Sequence, residues 1–172
     1  YRHLRDDPRI KGVLDLVGEK AGWNTRSSRD RVKGLAVHKS FGTYVAQVVD
    51  LGVSSGGQYQ VEKVVCAVDC GVAINPDIIR AQMEGGIGYG LSPALMSEIK
   101  IEKGQVKNSN FDSHDVLRMR DMPDVEVHIV PSAEAPTGVG EPATPVITAA
   151  VANALYAKTR SHQKSLPLSL KA

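Results

Sequence analysis

The apolar positions of this chain fall into helical and extended stretches separated by clear turn signals. Ile10, Val13, Leu14 and Val17 recur at i, i+3, i+4 and i+7, one face of a helix. Asp6-Asp7-Pro8 opens that helix with a capping carboxylate and an early proline, and Gly22 stops it. Trp23 is predicted to pack back on the core. Asn24 to Lys33, with Arg26, Arg29 and Arg31, reads as a solvated loop. Gly34 to Val53 reads as one extended stretch, Ser54-Ser55-Gly56-Gly57 as a turn, and Gln58 to Val68 as a second strand, together a β-hairpin.

Further on, Asn75-Pro76-Asp77 signals a helix start: an N-cap, a proline at the first helical position, and acid in the first turn. The stretch from Ile78 to Met96 carries Gly85, Gly86, Gly88 and Gly90. Each glycine costs a helix about 0.8–1 kcal/mol relative to alanine. Four of them predict a surface that another backbone or a cofactor approaches closely. Glu98 to Glu102 reads as a short strand turned at Lys103-Gly104-Gln105, and Val106 to Met122 as irregular. Val125 to Val130 alternates with period two and reads as a strand. His128 lies opposite its valines, as a surface histidine. Ser132 to Thr137 is a loop, a final helix is expected from Pro142 to about Lys158, and Ser161 to Ala172 reads as a tail. The fold class is therefore α+β: a hairpin-based mixed sheet packed with three main helices, in a single domain.

Composition narrows the function only a little. A formal net charge of +2 over 172 residues gives no reason to expect nucleic acid or an acidic membrane surface as partner. No apolar run approaches the roughly 20 residues of a membrane span, and no leader is visible. The chain begins with Tyr1, as a piece of a longer protein would. Cys66 and Cys70 are too few for a disulfide framework or a zinc site and read as buried thiols.

Three motifs compete for chemistry. Gly52-Val53-Ser54-Ser55-Gly56 has the spacing of a hydrolase nucleophile elbow, but a strand follows where the elbow needs a helix. Gly86, Gly88 and Gly90 lack both the spacing and the preceding strand of a dinucleotide loop. The third is Gly138-Val139-Gly140-Glu141-Pro142 ahead of an Ala-rich helix. Glu141 is the only carboxylate after Glu134. It is expected at the mouth of the final helix, either as a cap worth ~0.3–1 kcal/mol or as a reactive group.

The third motif resembles the C-terminal active-site motif of the xanthine dehydrogenase/aldehyde oxidase family of molybdenum hydroxylases. The likeness extends, in order, through Phe41-Gly42-Thr43-Tyr44-Val45-Ala46, Val68-Asp69-Cys70-Gly71, Asn75-Pro76 and Gln82-Met83-Glu84-Gly85-Gly86, and covers roughly Gly34 to Thr159. In detail it is most similar to the large (beta) subunit of isoquinoline 1-oxidoreductase-like members. The resemblance implies a C-terminal portion of a bacterial molybdenum-cofactor-binding subunit, catalytically inactive by itself. It implies a molybdenum-pterin cofactor, in its molybdopterin cytosine dinucleotide form, bound mostly by segments outside this chain. No side chain need ligate the metal. Gln82 becomes a cofactor hydrogen-bond donor, unless it merely closes a helix–helix contact. The backbone of Gly138, Val139 and Gly140 lines the metal site, and Glu141 becomes the general base. The implied reaction inserts oxygen from water into a C–H bond of an N-heterocycle or an aldehyde. The implied partners are an iron–sulfur small subunit and the remainder of the large subunit. A non-catalytic domain that keeps the fold and only binds a cofactor or partner is the alternative. Substrate identity and compartment, bacterial cytoplasm or periplasm, stay open.

Overall fold

A computed structural model of the chain describes residues 7–25, 31–54 and 56–171. The elements run α1 (Pro8–Lys20), β1 (Val32–Ser40), β2 (Thr43–Val53), β3 (Tyr59–Asp69), α2 (Pro76–Leu95), β4 (Ile101–Glu102), β5 (Gln105–Val106), β6 (Asp124–Ile129) and α3 (Thr144–Thr159). The main sheet has the order β1-β2-β3-β6. Its first three strands are antiparallel, and β6 joins β3 in parallel after the crossover through α2. β4 and β5 form a separate small ribbon. This is the α+β architecture expected, with a mixed sheet and three helices.

The sheet is covered on both faces, which explains why β2 and β3 read as near-continuous apolar runs. Tyr44, Ala46, Val48, Val65 and Ala67 face α1, where Val13 and Val17 complete a small core. Val45, Val49, Val64, Cys66 and Val68 face the opposite way, toward Met83, Ile87 and Leu91 of α2 and Ile147, Ala150, Val151 and Ala154 of α3. Cys66 is fully buried there, and burial pushes its thiol up to about 12 against a hydrogen bond from Gln47, its cross-strand neighbour.

α3 approaches the sheet and α2 at backbone distance. A Cβ on Gly34 of β1 would sit 2.1 Å from the carbonyl oxygen of Ala150 and 2.3 Å from the nitrogen of Ala154. On α2, a Cβ at Gly90 would lie 2.6 Å from the carbonyl oxygen of Thr144, and one at Gly86 3.1 Å from the Cβ of Ala143. The close approach expected of the α2 glycines is thus met by α3 at Gly86 and Gly90. Gly88 meets Met122, while Gly85 meets nothing within 4 Å.

At the end of the sheet where β3 and β6 finish, Arg9 of α1 grips Asp69. Its Nε and Nη2 donate to the carboxylate at 2.8 and 2.6 Å, and the guanidinium stacks 4.5 Å above the Tyr44 ring. The same carboxylate accepts from the Gly71 N–H at 3.0 Å. Burial pushes Asp69 up, but Arg9 and the Gly71 N–H outweigh it and hold the carboxyl below its ordinary value of 3.8.

Several expectations need correction. Gly34 to Val53 is two strands, broken by a two-residue turn at Phe41-Gly42 with φ of 52° and 79°. Asparagine, aspartate or glycine would mark such a turn, and phenylalanine hides it. The strand also starts earlier, at Val32, and Arg31 pairs with Glu62 at 2.6 Å. Trp23 is exposed rather than packed in the core. α3 begins at Thr144, with Pro145 in its first turn, two residues later than Pro142 suggested. The expected tail docks: Leu168 is buried and donates its N–H to Ala94, while Leu170 accepts from the Tyr59 N–H. Asp7 caps α1 through Arg9 and Ile10, whereas Asp6, Arg26, Arg29, Ser55 and Ala172 lie outside the described residues.

Two glycines give opposite predictions from the same substitution. Gly34→Ala forces backbone apart and should cost about 3 kcal/mol, lowering Tm by ~6 °C or more. Gly85→Ala fills open space on an exposed helix and should raise stability by ~0.5–1 kcal/mol. Thermal unfolding of the two variants checks this; a tolerated Gly34→Ala would contradict the packing. Asp69→Asn leaves the Arg9 cation without its partner and should cost ~2–3 kcal/mol, less than for a fully buried pair because Arg9 keeps some water. Since the folded pKa of Asp69 is depressed, its contribution is complete above about pH 4 and disappears as pH falls through the folded value. Denaturant titrations of both proteins should therefore converge at low pH. Finally, Cys66 should resist iodoacetamide at pH 8 until the chain unfolds; rapid labelling of the native chain would contradict its burial.

Candidate active-site cleft

The cleft around Glu141 is built by a loop pinned to the same end of the sheet. After β6, residues 131–143 cross the carboxyl end of β3 and the beginning of β2 to reach α3. The pins are specific. Val72 N–H donates to the carbonyl of Glu134 at 3.0 Å, and Thr137 N–H donates to that of Cys70 at 2.9 Å. The buried Thr43 hydroxyl donates to the carbonyl of Gly138 at 2.6 Å and bonds the Thr137 hydroxyl at the same distance. Gln47, fully buried on β2, donates its amide to the carbonyl of Ala143 at 3.0 Å.

Gly71 is required where the loop crosses. Its φ is 75°, and a Cβ there would sit 2.2 Å from the carbonyl oxygen of Ala135. Asp69, holding the Gly71 N–H, therefore fixes the surface on which the loop lies. Val139 turns inward against the main core. Pro142 and Ala143 are buried, so Glu141 sits on a rigid base.

The Glu141 side chain itself is exposed and makes no hydrogen bond or ion pair among the described residues. It does not cap α3. The cap position is Ala143, without a side-chain bond, and Glu141 contributes only its main-chain oxygen, which accepts from the Thr144 N–H at 3.0 Å. The cap reading of Glu141 is thereby removed. A cleft of about 440 Å³ opens beside it, lined by Phe41, Gly138, Gly140, Glu141 and Pro142.

Gly138 and Gly140 have no local reason to be glycine. Neither has a positive φ, and a Cβ on either would meet nothing within 4 Å among the described residues. Gln82 lies one turn before Gly86 on the exposed side of α2 and forms no hydrogen bond among the described residues. Because Gly86 meets Ala143 and Gly90 meets Thr144 and Ile147, α2 and α3 run in the same sense. Gln82 and Glu141 thus stand at the same end of the helix pair, although Gln82 is outside the cleft lining.

The other candidates fall away. Ser54 accepts from the Gln58 N–H in the β2–β3 turn, and a strand follows. His128 pairs with Glu126 at 2.7 Å on β6. No cluster of metal-ligating side chains is present among the described residues. The resemblance gives Phe41 no role; its exposure and its place in the Glu141 cleft appear only in three dimensions. The one sequence signal for it is an aromatic at a hairpin turn, in a stretch that reads as continuous strand.

A family model described as "Molybdopterin cofactor-binding domain" matches residues 16–123. That range holds Phe41 and Gln82 but stops before Glu141. The beta subunit of isoquinoline 1-oxidoreductase from Brevundimonas diminuta is 38% identical over 171 residues, covering 96% of this chain and 22% of that protein. A protein of Gluconacetobacter polyoxogenes named membrane-bound aldehyde dehydrogenase [pyrroloquinoline-quinone] is 31% identical, covering 93% of this chain and 22% of its own length. Quinoline 2-oxidoreductase from Pseudomonas putida 86 superposes with a TM-score of 0.64 over 73% of this chain and 17% of that one; at 23% identity the likeness speaks for the fold alone. The chain spans about a fifth of the length of these curated relatives. On the family match and the order of its motifs, the chain belongs to the molybdopterin cofactor-binding domain family, within the xanthine dehydrogenase/aldehyde oxidase group of molybdenum hydroxylases.

Proposed function

We propose that this chain is the catalytic-base portion of a molybdenum hydroxylase large subunit that oxidises an N-heterocycle or an aldehyde, with water as the oxygen source. The observation that carries the reading is Glu141: an exposed carboxylate without a structural partner, held on a rigid loop in an open cleft.

The residues present fit a bulky pterin-bound metal. Among the described residues nothing lies within 4 Å of a Cβ on Gly138 or Gly140, so a large group can approach their backbone. Gln82 offers a free amide at the same end of the helices. When bound, the molybdenum-pterin group, in its cytosine dinucleotide form, supplies the two-electron oxidation. Gln82 and the Gly138–Gly140 backbone would hold it, together with segments outside this chain. Glu141 acts as general base: a carboxylate oxygen takes the proton of the water whose oxygen enters the product. Such a base contributes about 10²–10⁴-fold. Thr43, Gln47 and Asp69 touch no substrate; they keep the loop, and hence the carboxylate, in place. An iron–sulfur small subunit receives the electrons, and the remainder of the large subunit closes the cleft. By itself the chain lacks most of the cofactor-binding surface and should not turn over.

Glu141→Gln in the full-length, cofactor-loaded enzyme tests this. With no cap to lose, Tm should stay within ~1 °C, and molybdenum per subunit should be unchanged. The kcat should fall at least ~10²-fold, or ~2.7 kcal/mol of barrier. A metal-replete Gln variant with near wild-type kcat would contradict the role and favour a non-catalytic domain.

A further inference from the structure

Phe41 breaks two local rules at once. It occupies the first central position of a two-residue hairpin turn with φ 52°, a conformation that suits asparagine or glycine and is an outlier for a bulky residue. It also leaves its ring 70% exposed. The turn itself gives no reason for an aromatic, since asparagine would suit it better. Phe41 lines the Glu141 cleft together with Gly138 and Gly140.

Its place relative to Glu141 is fixed. Gly42, the next residue, is so close to Thr137 that a Cβ would lie 2.9 Å from that methyl group. Thr43, one further on, bonds both Thr137 and Gly138. These contacts hold the turn against the Glu141 loop, with Phe41 among the residues that line the cleft.

We propose that Phe41 is the specificity wall of this cleft: its ring face receives the flat body of the substrate, so that the enzyme favours planar aromatic substrates, ring N-heterocycles and aryl aldehydes, over small aliphatic aldehydes. Aromatic rings gain from face or edge contact with one another beyond the area they bury, and an aliphatic chain does not. This rests on the molybdenum-hydroxylase reading above. Phe41 makes no proton transfer; it is a positioning and selecting residue.

Phe41→Asn in the full-length holoenzyme separates function from fold, because asparagine suits the turn. The measurements are Tm, molybdenum content, calorimetric binding of isoquinoline, and kcat/KM for isoquinoline, benzaldehyde and acetaldehyde. The expected result is an unchanged or higher Tm, full molybdenum, isoquinoline binding weakened about fivefold, and the ratio of ring to acetaldehyde kcat/KM reduced by about fivefold. Phe41→Tyr, which keeps the ring, should retain the ratio. If Phe41→Asn lowers Tm or molybdenum content while the ratio survives, the ring is packing against the rest of the subunit and the inference falls alone. If the metal-replete wild type oxidises none of the three probes, the hydroxylase reading falls and takes this inference with it.

Discussion

The close seating of α3 is the constraint on which the rest depends. Gly34 beneath it, and Gly86 and Gly90 beside it, remove side chains where the backbones meet. Each glycine adds entropy to the unfolded chain and weakens its own element. The return is contact between the apolar stripe of α3 and both the sheet and α2, the largest core of the molecule. A helix held this firmly fixes its own first residues. The loop that enters it has no choice but to cross the carboxyl end of β3 and the beginning of β2.

That crossing is where structure becomes chemistry. Asp69 is gripped by Arg9, Gly71 is gripped by Asp69, and the loop lies on Gly71. Thr43 and Gln47 hold it from β2. Thr43 and Gln47 spend these hydrogen bonds on the loop's main chain, at Gly138 and Ala143. The Glu141 carboxylate stands exposed on this base, without a hydrogen-bond partner among the described residues. Gly138 and Gly140, which nothing in the chain requires, fit the same account.

Much of this was legible in the residues. Periodicity located α1, Asn75-Pro76 marked the start of α2 at its cap, and the Ala-rich run after Glu141 marked α3. Turn chemistry located the β2–β3 hairpin. The Gly-Val-Gly-Glu-Pro string pointed to the family. Other features were hidden for physical reasons. The β1–β2 turn carries phenylalanine where the rule asks for asparagine. Pro142 imitates a first-turn proline, but Pro145 holds that place. The docking of Leu168 and Leu170 depends on α2 and β3, far away in sequence. The Thr43, Gln47 and Asp69 pins join residues some 60 to 96 positions apart, and no local pattern announces such pairs. Phe41 was hidden for the same reason as its turn: it is the residue that breaks the rule.

The central claim is that the cleft beside Glu141 is the metal site. Anomalous diffraction from the full-length enzyme at the molybdenum absorption edge addresses it most directly. The account predicts a molybdenum peak in the cleft bounded by Phe41, Gly138 and Gly140, next to the Glu141 carboxylate. A fully occupied molybdenum site elsewhere in the subunit, with that cleft filled by other polypeptide, would contradict it.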